Sequence, residues 1–567
     1  ISPRDWSSDV CSSDLSTVSL ELSTTEEDAT IRYTLDGSEP TASSPAYSNA
    51  LSIGVRSTPN DLSAIQTTYG TGGEDDWEAP DGSVFKFYTV RARIFKDGSP
   101  GPHTTHSYIV TPAGTNRYTL PVVSIATDKA NLFDNTIGIY TPVNNNMMQK
   151  GAAWERTGTI EYFEPDGTLA FSGNVGLRLH GNTTRSRPRK AIRVYARGPG
   201  KFKYKLFDDL NLATFETFIL RNGGNDWGQG LLRDLYAQSL TANPTLDRQH
   251  GRPVIVFLDG EYWGIHDLRE RFDEGYIDNH YGLGELEYVQ VEIDRDVGGN
   301  PNVPVYDSGN RAWGADYSNL WAYVKNHNLT VATNYAVVQD WMDLDNFADF
   351  FQAHIFVGNS DWPGNNIRAW RSIAQVRDEG APHGLDGRWR YMIYDMDFAF
   401  GLDYSYVPGN KNFDIYKKNF GLVDQFNMLA YVQNAEQDGA TWANEPDATV
   451  MYRKLMANPE FRQHFMLRFS DQLNTSYSRD WTTSQWARVS ATIQPELAEH
   501  VARWRQPTNW AQHGERIEYF AQQRPAAVWT HLQDVLKLDW RVPVTVEAND
   551  EQGLVRINTI ELSDQTP

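Results

Sequence analysis

Apolar and polar positions alternate with period two through VSLEL, TIRYTL and FYTVRARIF, the pattern of strands with one buried face. Asp36-Gly37, Asp97-Gly98 and several prolines punctuate these runs as turns, and the Gly/Asp-rich stretch 58–82 reads as a long loop. Thr111-Pro112-Ala113-Gly114 reads as a linker. Strand patterns resume in LPVVSIAT, GTIEYFE, GNVGLRLHG and AIRVYAR, followed by a helical LLRDLYAQSL. RPVIVFLDGEYWGIHDLRERF predicts a hairpin turning at Asp259-Gly260. Helical spacing then dominates, in SNLWAYVKN, LDNFADFFQAHIFV, TVMYRKLM, FRQHFMLRFSDQL and PELAEHVARW. A strand-rich half before a helix-rich half predicts an α+β fold. From Val542 the alternation returns, in PVTVEA and GLVRINTIEL, as the start of another β module over 541–567.

Composition narrows the function classes. The 567 residues are 40% hydrophobic, enough for several cores at about 150 residues per domain. A net charge of -22 argues against nucleic acid and anionic membrane as partners, since both call for a basic face. No apolar run nears the ~18 residues of a membrane helix. The single cysteine, Cys11, lies in ISPRDWSSDVCSSDL, which fits nothing after it and resembles adapter read-through. Residues 1–15 are therefore expected to be a non-native leader. Without them there is no disulfide, thiolate nucleophile or cysteine-bound zinc.

The chemistry concentrates in GNSDWPGNNIRAW and WRYMIYDMDFAFG. An apolar helix with Phe347, Phe350, Phe351 and Ile355 on one stripe precedes a polar loop holding Asp361 and Asn366. Phosphoryl transfer needs a carboxylate for the attacking hydroxyl and oxygen ligands for Mg²⁺ on the nucleotide phosphates. A base Asp followed five residues later by a metal-binding Asn is the spacing of the protein-kinase catalytic loop. Asp395 and Asp397, two apart on an expected strand, would share one face and reach the same site. Upstream, GLRLHGNTTRSRPRKAIRVYAR sets a Gly/Asn/Thr turn around Asn182 before Arg185, Arg187, Arg189 and Lys190, a candidate phosphate cradle. Solvated turns and a basic surface hairpin are the plainer readings of the same residues. His180, His266 and His354 read as core or turn histidines, and Asp294, Asp296 and Asn300 as a solvated loop. No nucleophile elbow and no H-E-x-x-H occur.

Two resemblances follow. ATIRYTLDGSEPTASSPAY, with Tyr33, Thr34, Asp36, Gly37, Ser38, Pro40 and Thr41, resembles the chitobiase/β-hexosaminidase C-terminal module. That implies a β-sandwich over 16–112, an accessory or spacer that can contact carbohydrate. LRLHGNTTRSRPRKAIRV, LRNGGNDWGQGLLRDLYA, VFLDGEYWGIHDLRERFD, FVGNSDWPGNNIRAWR and WRYMIYDMDFAFG, taken in order, resemble the CotH family of atypical kinases known from spore coats. That resemblance spans about 118–540. It implies a protein-kinase-like two-lobed domain using ATP and Mg²⁺ on Ser/Thr of secreted or surface proteins. By position, Asp361 matches the catalytic aspartate, Asn366 the metal asparagine and Asp397 the metal aspartate, with Asp395 second. Lys190 is the candidate for the phosphate lysine, with Arg178 and Arg189 near it, and Glu270, where the chain should cross to the helical half, is the candidate neighbour of the nucleotide. Family relatives include adhesins and coat scaffolds, so a non-catalytic surface protein is the rival reading. A carbohydrate-active enzyme with two carboxyls across a cleft is a further one.

Overall fold

The computed structural model describes residues 17–70, 76–112, 117–198, 200–241, 246–293, 304–373, 380–402, 424–434, 444, 447–539, 542–544, 555–558 and 560–562. The expectations for the leader with Cys11, for Ala113-Gly114 and for Asp294, Asp296 and Asn300 fall outside the described residues. The architecture is α+β, and the chain divides into two compact units. One comprises 1–231, 251–271 and 491–508; the other comprises 232–250, 272–490 and 509–567.

The first unit opens with five strands: β1 (Thr17–Leu20), β2 (Thr30–Thr34), β3 (Leu51–Gly54), β4 (Tyr88–Lys96) and β5 (Ser99–Tyr108). They form the sheets β1-β3 and β2-β4-β5, which close over Leu20, Ile31, Ile53, Val90 and Ile94. Each buried residue comes from an alternating strand, so the period-two pattern is the cause of this small sandwich.

A closed barrel follows in the same unit. Its strands are β6 (Val122–Ala126), β7 (Arg156–Phe163), β8 (Leu169–Leu179), β9 (Ile192–Ala196), β12 (Thr217–Arg221), β14 (Gly251–Leu258) and β15 (Glu261–Arg269), in the order β12-β15-β14-β6-β7-β8-β9. The intervening β10 (Phe202–Lys203), β11 (Thr214–Phe215) and β13 (Asp247–Arg248) pair elsewhere. β9 hydrogen-bonds back to β12, so the barrel exposes no sheet edge. The β14–β15 turn falls at Asp259 (φ 49) and Gly260 (φ 74), both left-handed as a two-residue hairpin requires.

The sandwich does not stand off from the barrel as a spacer. Phe87 N–H donates to Gly260 O at 2.9 Å, and Tyr262 N–H to Phe85 O at 3.0 Å. The buried Glu261 carboxylate accepts the Asp61 and Ser63 N–H groups at 2.7 and 2.8 Å. A Cβ on Gly37 would lie 2.6 Å from Asp259 Oδ1, so only glycine permits this approach. The sandwich and the loops at Asp61–Ser63 and Phe85–Phe87 are thus stitched to the hairpin tip.

PELAEHVARW forms the expected helix, but it does not pack with the other late helices. The helix Leu497–Trp504 belongs to the barrel unit, far along the chain from the strands it covers. His500 Nδ1 accepts Ile265 N–H at 3.0 Å, and Trp504 Nε1–H donates to Trp263 O at 2.7 Å. Gly264 (φ 96) sits beneath this helix, where a Cβ would meet His500 Nδ1 at 2.7 Å.

The second unit holds the sheet β13-β19-β18-β16-β17, with β16 (Tyr288–Ile293), β17 (Val305–Gly309), β18 (Ile367–Ser372) and β19 (Arg390–Ile393). Its central helix, Leu344–Val357, is buried almost all round, wider than the stripe read from sequence. The polar face is accommodated by specific partners. Asp349 binds Arg468 through Nε at 2.9 Å and Nη2 at 2.5 Å, Gln352 donates to Phe465 O, and Asn346 exchanges hydrogen bonds with the Tyr391 backbone. The long helix Trp510–Leu536 contains Pro525, and the Thr482 hydroxyl lies 3.2 Å from Ala521 O, the carbonyl that proline leaves without its helical partner. Among the described residues no helix is long and apolar enough to cross a membrane.

Candidate active site

The helix Leu344–Val357 aims the site. Asp343 caps its start, accepting Asp345 and Asn346 N–H at 3.1 Å each. Gly358 (φ 64) ends it in the left-handed conformation. Next, buried Asn359 accepts Asp361 N–H at 3.1 Å, while its amide group meets His354 Nδ1 at 3.2 Å. His354 stacks on Trp362 at 4.6 Å, and burial pushes its imidazole down to about 3, so it serves as a neutral packing group. The loop returns at Asn366, whose φ of 58 is one asparagine tolerates.

Asn366 Nδ2–H donates to Asp361 Oδ2 at 2.9 Å, and Asn365 Nδ2–H approaches Oδ1 at 3.4 Å. A carboxylate only accepts, so the Asn366 amide must turn its nitrogen toward Asp361 and keep its oxygen for another partner. The five-residue spacing therefore closes a real pair.

The aspartates of DMDFAFG arrive differently from the expectation. β19 ends at Ile393, before either carboxylate, and Asp395 has φ 53. Alternation on a strand does not align them; a turn does. The turn is pinned by Met396 N–H to Asp234 Oδ1 at 2.8 Å, Phe400 N–H to Val357 O at 2.9 Å and Ser360 N–H to Phe398 O at 3.4 Å. It brings both acids into the field of Asp361. Burial first, then the Asp395 and Asp397 charges, hold the Asp361 carboxyl well above the ordinary range, against the opposing pull of Asn366 and Asn365. Asp397 is buried, while Asp361 and Asp395 are half-buried and reachable.

The residues read as a phosphate cradle lie in the barrel unit, and their donors are engaged. Lys190 is fully buried, with Nζ donating to Arg185 O at 2.8 Å and Arg187 O at 2.9 Å. Arg189, also buried, donates to Ile265 O and to Asn222 O. Arg178 pairs with Glu155 through Nε at 2.8 Å and lies over the Tyr195 ring at 4.6 Å. Asn182 stays exposed on its turn and accepts from Lys150 Nζ at 3.0 Å. Glu270 is buried immediately after β15. In this conformation Lys190 braces the turn, and reaching a phosphate would require it to leave two carbonyls.

Comparison with protein families decides the relationship. A family model described as CotH kinase protein matches residues 177–528, more than half of the chain, and one for the chitobiase/beta-hexosaminidase C-terminal domain matches residues 13–74. The chain belongs to the CotH family. Among curated proteins none matches it. In this CotH chain two positioning residues escape sequence reading: Asp234, which fixes the Met396 turn, and Arg524, which binds the end of the helix leading to Asp361. Their partners lie 162 and 169 positions away, and no local pattern links them.

The buried lysine of the CotH barrel gives a pH test. Burial lowers Lys190 to about 7, below the 10.5 of an exposed lysine. The unfolded chain then holds this proton more tightly than the folded one between those values, so stability rises with pH across that window and is flat below it. Urea titrations at pH 7 and 9 should show wild type gaining on Lys190→Met by up to about 1.4 kcal/mol per pH unit. A constant difference would mean that Lys190 holds its proton equally well in both states.

Proposed function

We propose that this CotH-family protein moves the γ-phosphoryl group of ATP to a Ser or Thr hydroxyl of a secreted or cell-surface protein, on a protein-kinase-like two-lobed fold. The observation that carries the reading is the Asp361–Asn366 pair, five residues apart, facing the carboxylates of Asp395 and Asp397. The side chains brought together are three carboxylates and an amide, an oxygen-bearing set suited to a hard cation such as Mg²⁺. Asn366 and Asp397 would hold Mg²⁺, with Asp395 in support. When bound, Mg²⁺ supplies neutralising charge for the nucleotide phosphates. Asp361 orients the acceptor hydroxyl and takes its proton. Asn366 fixes the rotamer of that base through its amide hydrogen. Likeness of the N-terminal sandwich to a chitobiase module supports carbohydrate contact as an anchoring role.

Transfer of labelled γ-phosphate to the protein itself or to a generic Ser/Thr-rich protein tests the reading. Wild type should label in a Mg²⁺-dependent way and Asp361→Ala should not; equal backgrounds would remove the enzyme claim. Mg-ATP at a hundredfold excess over Kd should stabilise the fold by about 2.7 kcal/mol. No stabilisation at saturating nucleotide would favour the non-catalytic surface protein.

A further inference from the structure

Within the barrel unit, the segment 80–86, Arg117, Tyr262 of β15 and the helix Leu497–Trp504 line a half-open cavity of about 430 Å³. Arg503 lines it while only 1% exposed. Its guanidinium stacks 3.9 Å from the Trp504 ring and 4.5 Å from Trp263, which holds the plane in place. Among the described residues, none of its three nitrogens has a hydrogen-bond partner, and neither does the hydroxyl of fully buried Tyr262 on the same wall. A buried donor left unsatisfied costs about 1–3 kcal/mol, more when charged. Two such groups lining one cavity call for a shared acceptor.

The surrounding charges have the right sign. Lys86 is buried on the wall, held by Ser83 Oγ and Val84 O, and Arg117 lies 4.5 Å over the Phe85 ring. The acids present are already engaged: Glu499 by Arg117 and Tyr118, Asp81 by Arg505 at 3.1 Å. Glu261 reaches Arg503 only through its field, since its oxygens accept the Asp61 and Ser63 amides. Burial accordingly pulls Arg503 down to about 9.

We infer that this cavity binds a small organic oxyanion, a carboxylate or phosphate ester on a compact body, held by the Arg503 fork and the Tyr262 hydroxyl. A guanidinium edge matches either group through two parallel hydrogen bonds. The volume far exceeds the ~30 Å³ of one water and falls in the range of small-molecule sites. Phe85 and the Tyr262 ring supply apolar wall for the ligand's body. The cavity uses no residue of the Asp361 site, so this inference stands whether or not phosphoryl transfer is found.

Calorimetric titration of the full chain with glucuronate, glucose 6-phosphate and inorganic phosphate tests it, with glucose as the neutral control. Saturable binding of a charged sugar and none of glucose is expected; which one binds separates carboxylate from phosphate. Arg503→Gln should weaken binding by about 10–100-fold and Tyr262→Phe by about 3–10-fold. Tyr262→Phe removes one oxygen and should leave the ligand-free melting temperature unchanged or higher, which a purely structural hydroxyl would not do. Should Arg503→Gln fail to fold, Tyr262→Phe and the rim variant Arg117→Gln decide. No saturation by any of the three anions at about 10 mM, or binding indifferent to Tyr262→Phe and Arg117→Gln, overturns the site.

Discussion

Asp361→Asn is expected to abolish phosphoryl transfer in a protein at least as stable as wild type. The substitution keeps the shape of the side chain and one oxygen for the Asn366 amide. It removes the negative charge that faces Asp395 and Asp397 with burial already against it. Sites arranged for chemistry carry such strain, and relieving it commonly stabilises by roughly 0.5–2 kcal/mol. An amide cannot accept the proton of an attacking hydroxyl, and losing a positioned general base costs about 10²–10⁴ in rate. Labelled-phosphate assays and urea titrations on the same preparations check both halves. Retained activity would sink the catalytic assignment. A clear loss of stability would instead mark Asp361 as a turn-former whose charge the loop needs.

Arg524→Met should be the most damaging single change away from the site. Arg524 is fully buried and donates to Ile355 O and Phe426 O at 2.7 Å and to Phe356 O and Asp424 O at 2.8 Å. Ile355 and Phe356 lie in the last turn of the helix Leu344–Val357, where carbonyls lack intrahelical partners and the dipole favours a cation. Methionine fills the volume and leaves the Ile355, Phe356 and Asp424 carbonyls without this donor, while Phe426 O keeps the Met428 N–H at 2.9 Å. The expected cost is roughly 3–5 kcal/mol, read as a lower urea midpoint. Arg524→Lys should recover only part of it, because a point charge cannot span four carbonyls. A loss below about 1 kcal/mol would show that the helix end is secured by other means.

What was legible in the sequence was local. Asp259-Gly260 announced its hairpin because a two-residue turn demands left-handed backbone, and both residues adopt it. The Asp361 and Asn366 spacing was readable because one short loop encloses both ends. Asp395 and Asp397 were found as acids but placed on a strand, since apolar WRYMIY gives no sign that pairing stops at Ile393. The helix with Phe347 and Phe351 looked one-sided because Arg468 and Phe465, which satisfy its polar face, are more than a hundred residues away. The same distance hid the return of Leu497–Trp504 to the barrel.

The seam between sandwich and hairpin bears on how such chains are inherited. Glu261 and Gly260 are completed by atoms from Asp61, Ser63 and Phe87, and those loops are in turn held by the hairpin. Recombination that cut the gene near codon 112 would hand one descendant a naked, acidic hairpin tip and the other a sandwich with dangling amides. Module shuffling is therefore penalised at this junction, and the two parts should travel through evolution as a single heritable block.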